Sequence, residues 1–222
     1  MNRSKNKLLL LLITFVIPLS ISAQASGGQV QRKTSPTKRH NVISHSSTNR
    51  CSVIKISPIN WNMVLDTDKI KLDNDREKAL KLLMDLPNSS SYIEERAEIQ
   101  KLLLMSPQII TEKELSGFRK VRSIQIDNYG IFSYDFFNCI FKMDRNTIYF
   151  EKITGSQRKS GHLYKKDDWS FIYLGAYHFI DTPKAKYGSE RSESGTLYKL
   201  SDNMLLMVLY DSQRCELLQF AK

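Results

Sequence analysis

The chain has 222 residues, with 33 Lys and Arg against 23 Asp and Glu, for a formal net charge of +10. Three of the cations fall in the first seven residues and five more between 26 and 50, where no acid occurs; the remaining 25 share the rest of the chain with all 23 acids. The part expected to fold is therefore almost neutral, which excludes the basic patch that a nucleic-acid binder carries on its folded domain.

Arg3, Lys5 and Lys7 precede an apolar run from Leu8 to about Ile21, and Ala23-Gln24-Ala25 supplies the small-x-small pattern of a signal-peptidase site. Residues 1–25 read as a secretory signal peptide, the run being shorter than the ~20 residues of a membrane-crossing helix. The first cysteine is Cys51, far from the cleavage site, which speaks against a lipid anchor. The mature chain is expected to begin at Ser26 and to be exported to the periplasm or beyond, with no transmembrane segment. Residues 26–50 are polar, cationic and almost free of large apolar groups, and so are expected to form a disordered basic linker.

Residues 51–222 are long enough for one domain with a proper core. Ala79, Leu80, Leu83 and Leu86 fall at helical spacing ahead of Pro87, and Ser91-Tyr92-Ile93-Glu94 has the spacing of a capping box opening a second helix to about Met105. A helical hairpin over about 67–105 follows. From Phe118 the pattern changes to strands, expected at 118–127, 131–143, 147–153, 159–165, 169–179, 194–200, 203–210 and 214–220 with short polar turns between most of them. The fold class is α+β: an N-terminal helical hairpin packed on an antiparallel, barrel-like sheet of about eight strands, closed as a barrel or a sandwich because closure removes exposed edges.

Ser160-Gly161-His162-Leu163-Tyr164-Lys165 recurs as Ser194-Gly195-Thr196-Leu197-Tyr198-Lys199, and each copy leads into an apolar strand. Gly161 and Gly195 read as equivalent bends in a curved sheet. Cys51, Cys139 and Cys215 make an odd count for an exported chain, leaving three pairings open, or three buried thiols. Their spacing is not that of a zinc site, and neither a metal nor a cofactor is expected.

The stretch Glu151-Lys152-Ile153-Thr154-Gly155-Ser156-Gln157-Arg158-Lys159-Ser160-Gly161 concentrates donors beside two glycines. A phosphate loop would need Gly155 to lead into a helix, and the Gly-Lys-Ser/Thr signature is missing. A nucleophilic site would draw on Ser156 or Ser160 with His162, or with His178 and Asp181. Paired carboxylates for glycoside cleavage would draw on Glu151, Glu190 and Glu193. The reading that best fits is a hairpin tip: Gly155 supplies the turn and Lys159-Ser160-Gly161 starts the return strand. Arg158 is expected to pair with Glu151, or with Glu190 or Glu193.

This stretch, followed by Tyr173-Leu174-Gly175-Ala176 and by Tyr187-Gly188-x-x-Arg191-x-x-x-Gly195, resembles DUF4893, a domain-of-unknown-function family of small exported bacterial proteins. The resemblance covers most of residues 60–222 and takes in Trp61, Asp68 to Leu72 and Glu216-Leu217. The chain departs from the family at Arg119-Lys120-Val121-Arg122, where members commonly place a cysteine between arginines; this weakens the inference of a disulfide at Cys139. The family implies no activity. Glu151, Gly155, Ser156, Gln157, Arg158, Gly161 and Arg191 form the candidate binding or structural motif. The expected function is a non-enzymatic binding module of the cell envelope, with an envelope component or small ligand as partner. The alternatives are an envelope-acting hydrolase working through His162 or His178, and a secreted enzyme inhibitor using the 155–161 tip.

Overall fold

Strands buried on both faces carry apolar residues at consecutive positions, and two segments here show why. In Ser170–Phe179, Phe171 and Tyr173 join one buried cluster while Ile172 and Leu174 join another; Met204–Asp211 sends Leu205 and Met207 to the first and Leu206 and Val208 to a third. One face lines the interior of a barrel and the other lies beneath helices. The computed structural model describes residues 55–222. The signal peptide expected over 1–25, the linker over 26–50 and Cys51 lie outside the described residues.

The sheet has nine antiparallel strands: β1 (Lys120–Asp127), β2 (Gly130–Ser133), β3 (Phe137–Asp144), β4 (Thr147–Lys152), β5 (Gln157–Lys165), β6 (Ser170–Phe179), β7 (Ser192–Ser201), β8 (Met204–Asp211) and β9 (Arg214–Ala221), paired in the order β2-β1-β3-β4-β5-β6-β7-β8-β9. The ring is closed by β1, which pairs with β9 along its whole length, from Lys120↔Ala221 to Asp127↔Arg214. On its other side β1 pairs with β3 only at Lys120 and Val121, and with β2 from Ile124 to Asp127. Eight strands therefore make the closed barrel, and β2 is a short flap folded back on β1. The single strand expected over 131–143 is two. Tyr134, Asp135 and Phe136 break it, because the chain must leave the flap and rejoin the wall lower down.

Phe141, Phe150 and Phe220 meet in the lumen at centroid distances of 5.2–5.3 Å, with Tyr173 edge-on to Phe150. Ile56, Ile110, Leu115 and Phe118 belong to the same cluster, filling the end where β1 begins and β9 ends. The helices are α1 (Asp66–Leu72), α2 (Asp75–Asp85), α3 (Ile93–Leu104) and the single turn α4 (Glu112–Leu115). Leu72 of α1 covers Ile172 and Leu174; Ala79, Leu83, Ile99, Leu102 and Leu103 of α2 and α3 cover the outer faces of β1, β8 and β9. None of the described helices is long and apolar enough to cross a membrane.

One local expectation is corrected. The helix α3 starts at Ile93 without a side-chain cap, and the capping box is instead Thr111 with Glu114, where the Glu114 carboxylate accepts from both the backbone N–H and the hydroxyl of Thr111. Its other oxygen takes the Lys199 ammonium at 2.6 Å, and that bond, with the capping donors, pulls the Glu114 carboxyl down to about 2. Cys139 and Cys215 are both free and buried, the first in the lumen and the second beneath the helices. They face opposite sides of the wall, so a bridge between them is not made.

Asp75 pins α2 to the wall. It is buried at the first turn of the helix, where its Oδ1 accepts from the Tyr198 hydroxyl at 2.8 Å and its Oδ2 has no partner. Burial outweighs this hydroxyl and raises its carboxyl to about 6.

Candidate functional site

Side chains alternate across a strand, so polar residues in phase with the lumen cluster also point inward. Toward the end of the barrel where β1, β6 and β8 finish, this phase places Ser123, Lys152, Lys159, Tyr177, Glu193 and Glu216 inside the wall, two or four residues from Val121, Phe150, Leu163, Tyr173, Leu197 and Leu218. Phe179 and Gln157 stand at the rim. The lumen is thus apolar at its plugged end and charged at its mouth.

Lys159 is the centre of this group. It is buried, with its ammonium against Glu193 Oε1, 3.0 Å from Glu216 Oε2 and 5.9 Å from the ring centre of Tyr177. Glu216 Oε1 accepts from the Ser123 hydroxyl at 2.6 Å. Burial opposes charge on all three members. For Lys159, Glu216 and Glu193 outweigh it and hold the ammonium above its ordinary value. For Glu216, Lys159, the Ser123 hydroxyl and Lys152 outweigh it and hold the carboxyl low. Glu193 goes the other way: burial, reinforced by the Glu216 charge, raises it despite Lys159. Its Oε2 is shut away from solvent with no hydrogen-bond partner. Lys152 is lowered by burial, with repulsion from Lys159, and its ammonium lies 4.1 Å from the ring centre of Phe137.

Above this group the wall opens. β6 pairs with β7 as far as Ser192, and β9 with β8 as far as Asp211, but β7 and β8 pair only up to Thr196↔Val208. Beyond that point Ser192–Gly195 and Leu209–Asp211 diverge. A cavity of about 250 Å³ fills the wedge, with Glu193 and Glu216 among its inner lining, Tyr177, Phe179, Gln125 and Gln157 at the mouth, and Lys71 of α1 on the outer side.

The residues singled out from the sequence surround this mouth without forming one site. Gly155 turns the β4–β5 hairpin at φ +91°, and a Cβ there would meet the Phe137 ring at 3.1 Å. Ser156 is exposed on the tip, its carbonyl accepting from Ile180 N–H at 2.9 Å. Gln157 lines the cavity. Glu151 lies on the outer face, paired with Lys184 at 2.6 Å and accepting from the Tyr149 hydroxyl at 3.2 Å. Arg158 is also outward, beside His178 in register, and its Nε donates to the Gly155 carbonyl at 3.3 Å. The expected Arg158–carboxylate pair is not made: Glu151 is held by Lys184 and Glu193 faces the lumen, on the other side of the wall. Arg191 stands over Phe179 and Tyr177 at 5.5 and 5.9 Å. Gly161 faces Gly175 across the strands; a Cβ on Gly161 would come within 2.4 Å of the Gly175 Cα and 2.7 Å of the Tyr173 ring. Gly195 is similarly tight: a Cβ there would come within 2.6 Å of the Val208 carbonyl oxygen.

The residues of the catalytic readings are kept apart. His162 and His178 share the outer face but stand four positions apart along β5 and β6, ~13 Å at the strand rise. His162 is 3.1 Å from the Thr147 hydroxyl, while His178 Nδ1 is buried without a partner. Glu151 and Glu193 are divided by the barrel wall. Among the described residues no group of His, Cys, Asp and Glu has the arrangement of a metal site.

Sequence reasoning passed over Lys159, Lys152, Tyr177 and Glu216 as site members. The signal was present: each is in phase with the inward apolar residues of its own strand, and Lys159 sits four positions before Leu163.

Residues 61–218 match the family model described as Domain of unknown function (DUF4893). Among curated proteins none matches the chain. A solved structure of a redesigned β-barrel is similar at 8% identity and a TM-score of 0.36, covering 53% of this chain and 98% of that one.

Proposed function

The chain belongs to the DUF4893 family over residues 61–218, a family with no described function, and we propose that it is a non-enzymatic binding protein of the cell envelope that takes a small ligand at the barrel mouth. The observation that carries this reading is the wedge between β7 and β8, which leads from the surface to a buried charged group inside a closed barrel. Small barrels hold ligands in their mouths, and binding sites combine apolar walls with a few convergent polar groups. At about 250 Å³ the cavity is slightly smaller than the ~300 Å³ at which drug-sized pockets begin, so the ligand is small. Export rests on the basic start, apolar run and Ala23-x-Ala25 of the leader. The separation of His162 from His178, four positions along the paired strands, favours binding over hydrolysis.

A chemically diverse fragment library, screened against the isotope-labelled full chain by amide NMR, tests the reading. Shifts gathered on Gln125, Gln157, Tyr177, Ser192 and Leu209 support it. Shifts confined to other surfaces, or none from any fragment, overturn it.

A further inference from the structure

The charges facing the wedge are unevenly satisfied. Lys71 and Arg214 each lie 3.9 Å from Asp211, and Lys71 is also 3.2 Å from Asp68. Lys152 is turned to the Phe137 ring. The two cations that line the cavity, Lys71 and Arg214, thus stand at its outer side beside Asp211 and, for Lys71, Asp68. Two carboxylates are not matched in this way. Asp127, at the rim, accepts a backbone N–H from Tyr129 at 2.8 Å and has no ion pair among the described residues. Glu193, at the floor, shares Lys159 with Glu216 and leaves Oε2 without a donor.

Lys159 shows how an alkylammonium is held in this lumen: by charge-assisted hydrogen bonds to carboxylates, next to the face of Tyr177. Its chain comes from inside the wall. A second ammonium, entering from the mouth, would have the other oxygen of the same Glu193 carboxylate to meet, Oε2, which is buried beside the cavity with no donor of the protein's own. An anion entering there would instead face Glu193, Glu216 and Asp127. A neutral polyol would leave the carboxylate edge short of a charged donor. Resting on the reading of the wedge as a ligand site, we infer that its ligand is a small organic cation, a primary ammonium seated on Glu193 with Asp127 at the entrance and the rings of Tyr177 and Phe179 beside its carbon chain.

Three probes with one carbon skeleton separate the alternatives: n-butylammonium, 1-butanol and butyrate, each titrated into the full chain and followed by amide NMR. Butylammonium is expected to shift Gln125, Tyr177, Ser192 and Leu209 in a saturable manner, with the alcohol and the carboxylate far weaker. Glu193→Gln should weaken butylammonium binding about tenfold, the loss of one charge-assisted hydrogen bond. Glu190→Gln, the same change on the neighbouring exposed loop, should not. If Glu193→Gln proves unstable, Asp127→Asn at the rim provides the second variant, with a several-fold loss expected. Equal binding of butanol or butyrate, or an unchanged affinity in both Glu193→Gln and Asp127→Asn, overturns the ammonium assignment while leaving a ligand site. Silence toward all three probes also overturns it, and the binding reading itself falls only if the diverse library leaves the wedge silent as well.

Discussion

Lys159 and Glu216 meet across the full width of the barrel: they belong to β5 and β9, four strands apart in a ring of eight, and the ammonium lies 3.0 Å from Glu216 Oε2. With Glu193 of β7 on the same ammonium and Ser123 of β1 on Glu216, four strands are tied through one buried cation. Such a group contributes little compared with an apolar core, yet breaking it is costly because the remaining charges stay buried.

Lys159→Met should therefore destabilise the protein by about 3–5 kcal/mol at neutral pH, the cost of two buried carboxylates left without their cation. The loss should shrink in acid, where Glu193 and Glu216 take up protons and no longer need it. Urea unfolding at pH 7 and pH 4.5 measures both values. A loss that is equal at the two pH values would show that Lys159 acts through packing alone.

Asp75 gives a pH dependence of opposite sense to that of an ordinary surface pair. Its folded value of about 6 exceeds the model-peptide value of 3.8, so between these limits the folded state binds more protons than the unfolded one, and stability falls as pH rises. Relative to Asp75→Asn, which does not titrate, the wild type should gain up to about 3 kcal/mol as pH falls from above 6 to below 3.8, at ~1.4 kcal/mol per unit. Unfolding curves of both proteins at pH 7.5 and pH 4 give the difference directly, and a constant difference would place the Asp75 carboxyl in solvent-like surroundings.

Gly161→Ala should cost about 1–3 kcal/mol, toward the upper end, because the clash is with the backbone of Gly175 and not with a yielding side-chain end. Ser156→Ala on the exposed tip should stay within about 0.5 kcal/mol. Thermal melts of the two variants decide whether the repeated Ser-Gly marks a close approach of strands.

Arg158→Ala should change stability by no more than about 0.5 kcal/mol, since its side chain makes one bond to the Gly155 carbonyl and no ion pair among the described residues. A larger loss on urea unfolding would mean that a carboxylate comes to Arg158 in solution.

The β-meander and the turn at Gly155 were legible in the sequence because strand period and turn chemistry are local properties. The apolar runs around Phe171–Leu174 and Leu205–Leu209 announced strands covered on both sides. The break at Tyr134–Phe136 was not legible: those residues suit a strand, and only the geometry of barrel closure interrupts them. Partner choice was the least visible. Arg158 sits one residue from Lys159, and strand phase sends the two to opposite faces, so the cation that meets the carboxylates is the lysine. Which carboxylates those are depends on which strands oppose each other across the lumen, and that is set by strand number and closure, not by any short spacing. Glu216 accordingly stands out in the sequence only through the family resemblance, beside Leu217, with no hint of Lys159 across from it.

The pairing of β1 with β9 has a consequence for how the molecule is made. Residues 120–127 find their main partner about ninety positions later, in residues 214–221, while β3 offers β1 only Lys120 and Val121. From β3 to β9 each neighbouring pair in the wall is joined by its own connection, but the seam joins the two ends of the meander, and such distant contacts form late and slowly. Until the last strand has emerged and docked, β8 and β1 each present an open edge able to recruit another chain. Removing residues 214–221 would take away one stave of eight and the long β1–β9 contact that makes a ring of them, and is expected to turn a folding chain into an aggregating one.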